Sequence, residues 1–454
     1  MKKSLLVLLL VLAASTLFAQ QSAPPTTPAA GQPAAPAGQA AAAQQKVIKD
    51  PAEYNAYVTA VNQTDPNAKA QAFEAFLQQY PNSVMKPEGL EALMGAYQQL
   101  GNLQKVGDTA DRLLQASPNN VRALFVLAYL HRTQAETPPA NVQQNPAQAA
   151  QYVQQQAAQA REFGQRGLQA VETWAKPQGM SDQEYTQQKQ QMTVVMDGAV
   201  GFGALQQKDY ATAAKYLQAA IDAGPTSPIN NGNIYPLAIA YLEQQPINPT
   251  GLWYVAKAAA LTNNNPAVVR YGKAKYIKYH GSDQGWEQLL QQARATPTIQ
   301  PPAGWTVAPA PTPAEQAAKL VATKPVAQMS FDEFQLILTS GNQQAATQVW
   351  DQIKSKPIAF EAKVIDADKA RLLLAATAED IAANKADVEL TMAGPIPATL
   401  MPKIGEMEKV QGNPQRYDVS PFLIHMTNGA FIGKRPAAAK PPAKRPPARR
   451  RPPR

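Results

Sequence analysis

The stretch from Leu90 to Pro118, LEALMGAYQQLGNLQKVGDTADRLLQASP, limits most sharply what this chain can fold into. Leu90, Leu93 and Tyr97 recur at three- and four-residue spacing, and Gly101-Asn102 breaks the pattern. Leu103, Val106, Ala110 and Leu113 then resume it until Pro118 closes the unit. These are two short amphipathic helices, and neither can bury its apolar stripe alone. Small residues alternate with large ones on both, so the pair is suited to dock against others like it in a stacked solenoid.

The unit recurs. One register shift places Leu103 on Tyr210, Val106 on Ala213, Ala110 on Leu217, Leu113 on Ala220 and Pro118 on Pro225. Lys208-Asp209-Tyr210-Ala211-Thr212-Ala213-Ala214 through Ala220 and Pro225 resembles the tetratricopeptide (TPR) repeat family: an aromatic or Leu opens the second helix, small residues follow, and a Pro ends it. The Leu90 unit is the next best match, and the resemblance runs roughly from Asp50 to Ala295. It implies an α-solenoid that binds a protein or peptide on the inner helices of each pair, where register places Glu91, Gln98, Tyr241 and Tyr271.

The expected pairs are 52–62 with 68–80, the Leu90 unit, and 121–133 with 147–174, the third carrying an inserted loop over 136–145. Then come 182–207 with 210–223, 233–243 with 250–261, and 267–279 with 284–295. Asp or Asn before Pro, at Asp50, Asn145, Asn248 and Asn265, supplies a capping side chain ahead of a Pro at the first helical position.

Composition sets the outer divisions. At 454 residues and 45% hydrophobic content the chain can hold two or three cores, but 40 Pro residues are too many for one compact body. Most fall in 24–36, 297–325 and 436–453. Residues 1–19, with Lys2-Lys3, an apolar run from Leu5 to Leu12 and a cut after Ala19, are expected to be a signal peptide exporting the protein to the periplasm or beyond. The chain has no Cys, which excludes disulfides, thiolate metal sites and a Cys-linked lipid anchor.

Residues 20–49 are an Ala/Gln/Pro leader expected to be disordered, and 50–296 form the helical repeat domain. Residues 297–325 are expected as a Pro-rich linker, 326–433 as a small α+β domain, and 434–454 as a disordered tail. The formal charge of +9 has its origin in that tail. Lys434, Arg435, Lys440, Lys444, Arg445, Arg449, Arg450, Arg451 and Arg454 stand there without an acid, on a stiff Pro-rich spacer suited to polyanions such as envelope polymers or lipid head groups. Export makes nucleic acid a poor candidate.

After the Pro-rich segment the pattern changes. Ser330-Phe331-Asp332-Glu333 is a capping box opening a helix to Thr339, and 343–353 is a second helix. Five or six short strands follow: 358–364 alternates apolar and polar residues, then come 371–376, 388–392, 405–411 and 422–426. Asn428-Gly429 is expected as a tight turn before Phe431-Ile432. Strand order and glycine placement resemble an oligonucleotide/oligosaccharide-binding (OB) barrel, which implies envelope glycan binding as an alternative function.

No constellation for catalysis, cofactor or metal is expected. His131, His280 and His425 are far apart, with no carboxylate at ligand spacing. Gly198-Ala199-Val200-Gly201-Phe202-Gly203 lies between helical flanks rather than after a strand, so its glycines are expected to serve close helix packing and not to hold a phosphate. Asp108 with Asp111, and Glu379-Asp380, read as solvated faces. Between Arg270 and His280 basic and aromatic residues interleave, which marks Lys273, Lys275 and Lys278 as polyanion-binding candidates, with packing of Tyr276 and Ile277 as the structural alternative. The whole is expected to be an exported, non-enzymatic scaffold with a basic tether.

Overall fold

A computed structural model describes residues 46–433. The expected signal peptide, most of the leader and the basic tail lie outside the described residues. The chain divides into two compact units, Met1–Pro309 and Ala310–Arg454.

Thirteen α-helices are described in the first unit. They are α1 (Pro51–Val61), α2 (Pro66–Gln79), α3 (Lys86–Gln99), α4 (Leu103–Ala116), α5 (Val121–Glu136), α6 (Ala140–Gln143), α7 (Pro146–Glu172), α8 (Asp182–Gln206), α9 (Tyr210–Ala223), α10 (Asn231–Leu242), α11 (Thr250–Leu261), α12 (Pro266–His280) and α13 (Trp286–Ala295). Their starts follow the sequence: Asp50, Asn145 and Asn265 each accept a backbone N–H with a Pro at the first helical position. Ser181 and Glu184 form a reciprocal capping box on α8.

Packing runs serially. Each long helix lies on its neighbours in sequence, from α1 through α11, and the first helices of successive pairs also meet, α5 with α8 and α8 with α10. This nearest-neighbour order is what a helical repeat requires. The last pair departs from it, because α12 and α13 both lean on α11. Two apolar cores result: one runs from Ala60 to Met196 around Phe73, Phe76, Leu93 and Phe125, the other from Ala204 to Ile299 around Trp253, Tyr254 and Trp286.

Gly201 joins α8 to α9. A Cβ there would stand 2.6 Å from Leu217 Cγ and 2.9 Å from its backbone nitrogen, so only hydrogen lets the helices approach. The packing role expected of this glycine is the one it has.

The expected linker over 297–325 is corrected at both ends. Ile299 is buried, Trp253 Nε1 donates to its carbonyl at 2.8 Å, and Trp305 packs edge-on to Trp253 with ring centres 5.5 Å apart. Gln300 Nε2 donates to Asp222 Oδ1 at 2.6 Å, and His280 Nδ1 donates to Ala308 O at 2.8 Å. This segment is a strap over α11, tied also to α9 through Asp222 and to α12 through His280. Its prolines supply an extended backbone, which does not prevent side chains such as Ile299 and Trp305 from being buried. Residues 313–323 are a helix, α14 (Pro313–Thr323), started by a Thr312/Glu315 capping box, and its Ala317 belongs to the second unit's core.

That second unit continues with α15 (Phe331–Thr339), α16 (Gln343–Ile353), β1 (Ile358–Ala367), β2 (Arg371–Ala375), α17 (Ala378–Ala383), β3 (Val388–Met392), β4 (Met407–Val419) and β5 (Phe422–Phe431). The five strands close into a barrel in the order β1-β2-β3-β5-β4, with β3 and β5 parallel and the other pairs antiparallel. Inward residues alternate along each strand, and Val364, Leu372, Leu374, Leu390, Ile424 and Met426 form one core with Phe334, Ile337, Leu338, Val349 and Ile353 of the helices.

Two sequence expectations change here. Asn428-Gly429 is no turn: it lies inside β5, opposite the shift in register between Gln411 and Asn413 of β4, with Asn428 at φ +55°. It is a bulge, which a left-handed Asn followed by Gly supports as readily as a hairpin. β4 also runs well past Gln411, because Pro414 sits at a second register shift where no ladder N–H is needed.

Candidate interaction surface

The first helices of the pairs, α3, α5, α8, α10 and α12, carry the surface that a helical repeat offers to a partner. At α8 that surface is closed. Arg132 of α5 reaches across, donating from Nη1 to Asn233 Oδ1 at 2.5 Å, from Nη2 to Gly232 O at 2.9 Å and from Nε to Glu136 at 2.9 Å. Asn233 in turn donates to Asn230 Oδ1 at 2.7 Å, and Asn230 to Ala220 O and Gly224 O. The inner face is thereby divided into a stretch over α3 and α5 and a stretch over α10 and α12.

Over α10 and α12 the residues are aromatic and charged. Tyr235 and Tyr271 meet edge to face, ring centres 6.1 Å apart. Tyr271 Oη donates to Glu243 Oε1 at 2.8 Å, Lys275 Nζ donates to Glu243 Oε2 at 2.9 Å, and the same ammonium lies 5.6 Å from the Tyr271 ring centre. Partial burial raises the Glu243 pKa, but the Lys275 and Tyr271 hydrogen bonds outweigh it and hold the carboxyl below the usual range. Burial first, and then the Glu243 carboxylate, push the Tyr271 hydroxyl far above its ordinary value.

The four residues that register assigned to the groove are not brought together. Tyr271 stands on the α10–α12 stretch. Glu91 lies at the other one, accepting from Asn120 Nδ2 at 2.5 Å and pairing with Arg122 at 3.2 Å. Gln98 is buried, which removes it from any surface, and Tyr241 turns to the far side of α10, stacked on Tyr254 and donating to Gln218 Oε1 at 3.1 Å. Repeat register fixes which helix a residue is on, but the inserted loop and the long α7 and α8 shift the faces.

The basic run on α12 is partly neutralised. Lys273 pairs with Asp283 at 2.9 Å and Lys275 with Glu243 at 2.9 Å, while Lys278 is exposed. Tyr276 packs inward against Trp286, as the structural alternative had it, whereas Ile277, which that alternative also packed, is exposed. The nine basic tail positions lie outside the described residues.

On the barrel, strand pairing assembles a charge network that sequence spacing could not reveal. Glu389 of β3 and Arg416 of β4 are each paired across from His425 of β5. His425 Nδ1 lies 2.5 Å from Glu389 Oε2, and its Nε2 lies 2.8 Å from Asp418 Oδ2. Arg371 reaches Glu389 at 3.1 Å and Arg416 reaches Asp418 at 2.9 Å. Arg371 above all, against some burial and with help from His425, holds Glu389 below its ordinary pKa; the His425 hydrogen bond does the same for Asp418. The signal that could have found this cluster is the alternation of outward residues, but only once β3 is known to lie beside β5.

The other histidines have local partners: His131 contacts Gln156 and stacks on Phe163, and His280 holds the strap. No group of three or more His, Cys, Asp or Glu that could hold a metal occurs among the described residues. The exposed large apolar residues of the barrel unit are Ile404, Met407, Val419 and Ile432, all aliphatic, while Phe360 and Tyr417 pack on Phe331 and Trp350.

Several buried ionisable groups stand apart from these surfaces, among them Asp380, which was expected on a solvated face but is buried and accepts from Thr377 Oγ1 at 3.1 Å. Asp387 accepts the backbone N–H groups of Ala376 and Thr377, both at 2.7 Å, and so fixes the turn into α17. Lys257 donates to Ala293 O at 3.1 Å and to Thr296 O, which caps the end of α13. Asp197, 6% exposed on α8, has no hydrogen bond or ion pair among the described residues, and burial alone raises its pKa to about 7.

No family model matches this chain, and no curated protein matches it. Among solved structures it is similar to the crystal structure of a thermophilic TPR protein from Thermus thermophilus, at 15% identity, covering 50% of this chain and 99% of that one, with a TM-score of 0.26. At that score the helical-repeat architecture stands on this chain's own helix order and packing.

Proposed function

We propose that this protein is an exported, non-enzymatic scaffold that holds a protein or peptide partner against the first helices of its repeat, while the basic tail attaches it to an anionic envelope polymer or lipid surface. The observation that carries the reading is the half-buried Tyr235–Tyr271 pair, with Glu243, Lys275 and Lys278 beside it. Aromatic rings in a polar frame supply contact area at low entropic cost, and the first helices of stacked pairs form the extended surface through which such folds commonly bind proteins. The nine basic residues of the tail would supply that attachment by their charge.

Capture from an envelope extract tests both parts. Tyr235→Ala together with Tyr271→Ala should lose the captured protein while keeping sedimentation with envelope material, and deletion of 434–454 should do the reverse, with sedimentation of the parent falling as salt rises. Capture that survives the double substitution, or sedimentation that survives tail deletion with unchanged salt dependence, overturns the corresponding half.

A further inference from the structure

A cleft of about 400 Å³ opens between α3, the start of α5 and the end of α7, lined by Glu91, Asn119, Arg122, Arg166, Thr173 and Trp174, with Ser117, Asn120 and Gln169 around them. Its size lies within the range of small-molecule sites, and amides, hydroxyls and charges make up most of its walls, with Val121, Ala170, Ala175 and Trp174 as the apolar part. The guanidinium of Arg122 is the unusual member. Its side chain is 9% exposed, yet of the five N–H donors an arginine carries, one has a protein acceptor among the described residues, Glu91 Oε2 at 3.2 Å. A guanidinium cannot discard its charge, and the other Arg122 nitrogens are not among the buried unpartnered atoms, so they reach solvent through the cleft they line, where an anion can meet them.

Arg166 comes from the opposite wall. Its Nη2 donates to Pro118 O at 3.1 Å, and its Nη1 lies 3.5 Å from the largely exposed Glu162. Glu91, tied to both Asn120 and Arg122, holds the Arg122 fork in place and takes only one of its edges. Trp174, with its ring centre 5.2 Å from that of Tyr185 and its carbonyl receiving the Tyr185 hydroxyl, is a fixed aromatic wall. Two guanidinium groups lining one cleft suit a carboxylate, the Asn119, Gln169, Ser117 and Thr173 side chains suit hydroxyls, and the indole of Trp174 suits the C–H side of a pyranose.

We propose that this cleft binds a hydroxylated carboxylic acid of monosaccharide size, an acidic sugar. The Arg122 and Arg166 guanidinium groups take the carboxylate, and the amides and hydroxyls on the walls take the ring hydroxyls.

Titration of the full mature chain with glucuronate, followed by calorimetry and by saturation-transfer NMR, tests this. Saturable glucuronate binding is expected, with glucose and acetate each at least tenfold weaker, because one lacks the charge and the other the hydroxyls. Arg166→Gln, at a more exposed position, should weaken glucuronate about tenfold without changing the melting temperature. Arg122→Lys, which keeps the charge and loses the fork, should do so too, with circular dichroism confirming its fold. Should Arg122→Lys fail to fold, Arg166→Gln alone decides. No saturable glucuronate binding at millimolar concentration, acetate or glucose binding as tightly, or unchanged affinity in a folded variant would overturn the proposal.

Discussion

Asp197→Asn should stabilise the helical unit, and by an amount that depends on pH. The parent carboxyl is buried on α8, among residues whose neighbours on the same face, Val194 and Gly201, meet Gly224 and Leu217, and it has no hydrogen-bonding or charged partner among the described residues. Burial raises its pKa from 3.8 to about 7. The folded-state pKa lies above the unfolded one, so as pH rises the unfolded chain releases this proton first. Asp197 therefore costs nothing below about pH 4, costs progressively more up to about pH 7, and costs a constant amount above that.

At 1.36 kcal/mol per pKa unit the full penalty is roughly 4 kcal/mol; allowing for some water access, about 2 to 4 kcal/mol is the working range. Asparagine keeps the shape and cannot ionise. Urea unfolding of parent and variant, followed by circular dichroism near pH 4.5 and near pH 8 at fixed salt, isolates the effect, because other carboxylates cancel in the difference. The variant should be more stable by about 2 to 4 kcal/mol near pH 8 and by only about 1 kcal/mol near pH 4.5, with the m-value unchanged. A difference of the same size at both pH values would refute the reasoning.

Gly201→Ala should destabilise the helical unit by about 2 kcal/mol, measured by the same denaturation, because the new methyl meets Leu217 at 2.6 Å. Trp305→Ala uncovers Trp253, and the strap's loss should cost about 2 kcal/mol and shift tryptophan emission to the red; an unchanged melt would return 297–309 to the status of a linker. Changing Lys273, Lys275 and Lys278 together to Glu should leave most retention on an acidic matrix in place, since two of the three are already paired and the tail carries the charge.

Much of the fold was legible because it is local. Capping residues at Asp50, Asn145 and Asn265, the breaks at Gly101-Asn102 and Pro118, and the small residues of α8 and α9 are short-range signals, and they placed the helices correctly, although α12 and α13 lean on α11 rather than forming a regular last pair and the N-cap of α11 is Pro249, not Asn248. What depended on distant pairing was not legible. Pro-rich composition masked the strap, whose role exists only because Trp253 waits for Ile299 and Trp305. Asn428-Gly429 carries the same backbone preference in a bulge as in a turn, and the neighbouring strands decide between them. The Glu389–His425–Asp418 cluster and the Arg122 cleft likewise join residues whose spacing in sequence says nothing about their contact.

The central claim, that a partner lies on the first helices of the repeat, is tested most directly by photocrosslinking. A photoreactive amino acid placed at Ala274 or Lys278 of α12, both exposed, should capture a discrete protein from envelope extract, and the same residue at Lys215 or Ala219, exposed on the second-helix side in α9, should capture none. Equal capture from both sides, or capture from Lys215 and Ala219 alone, would contradict the account.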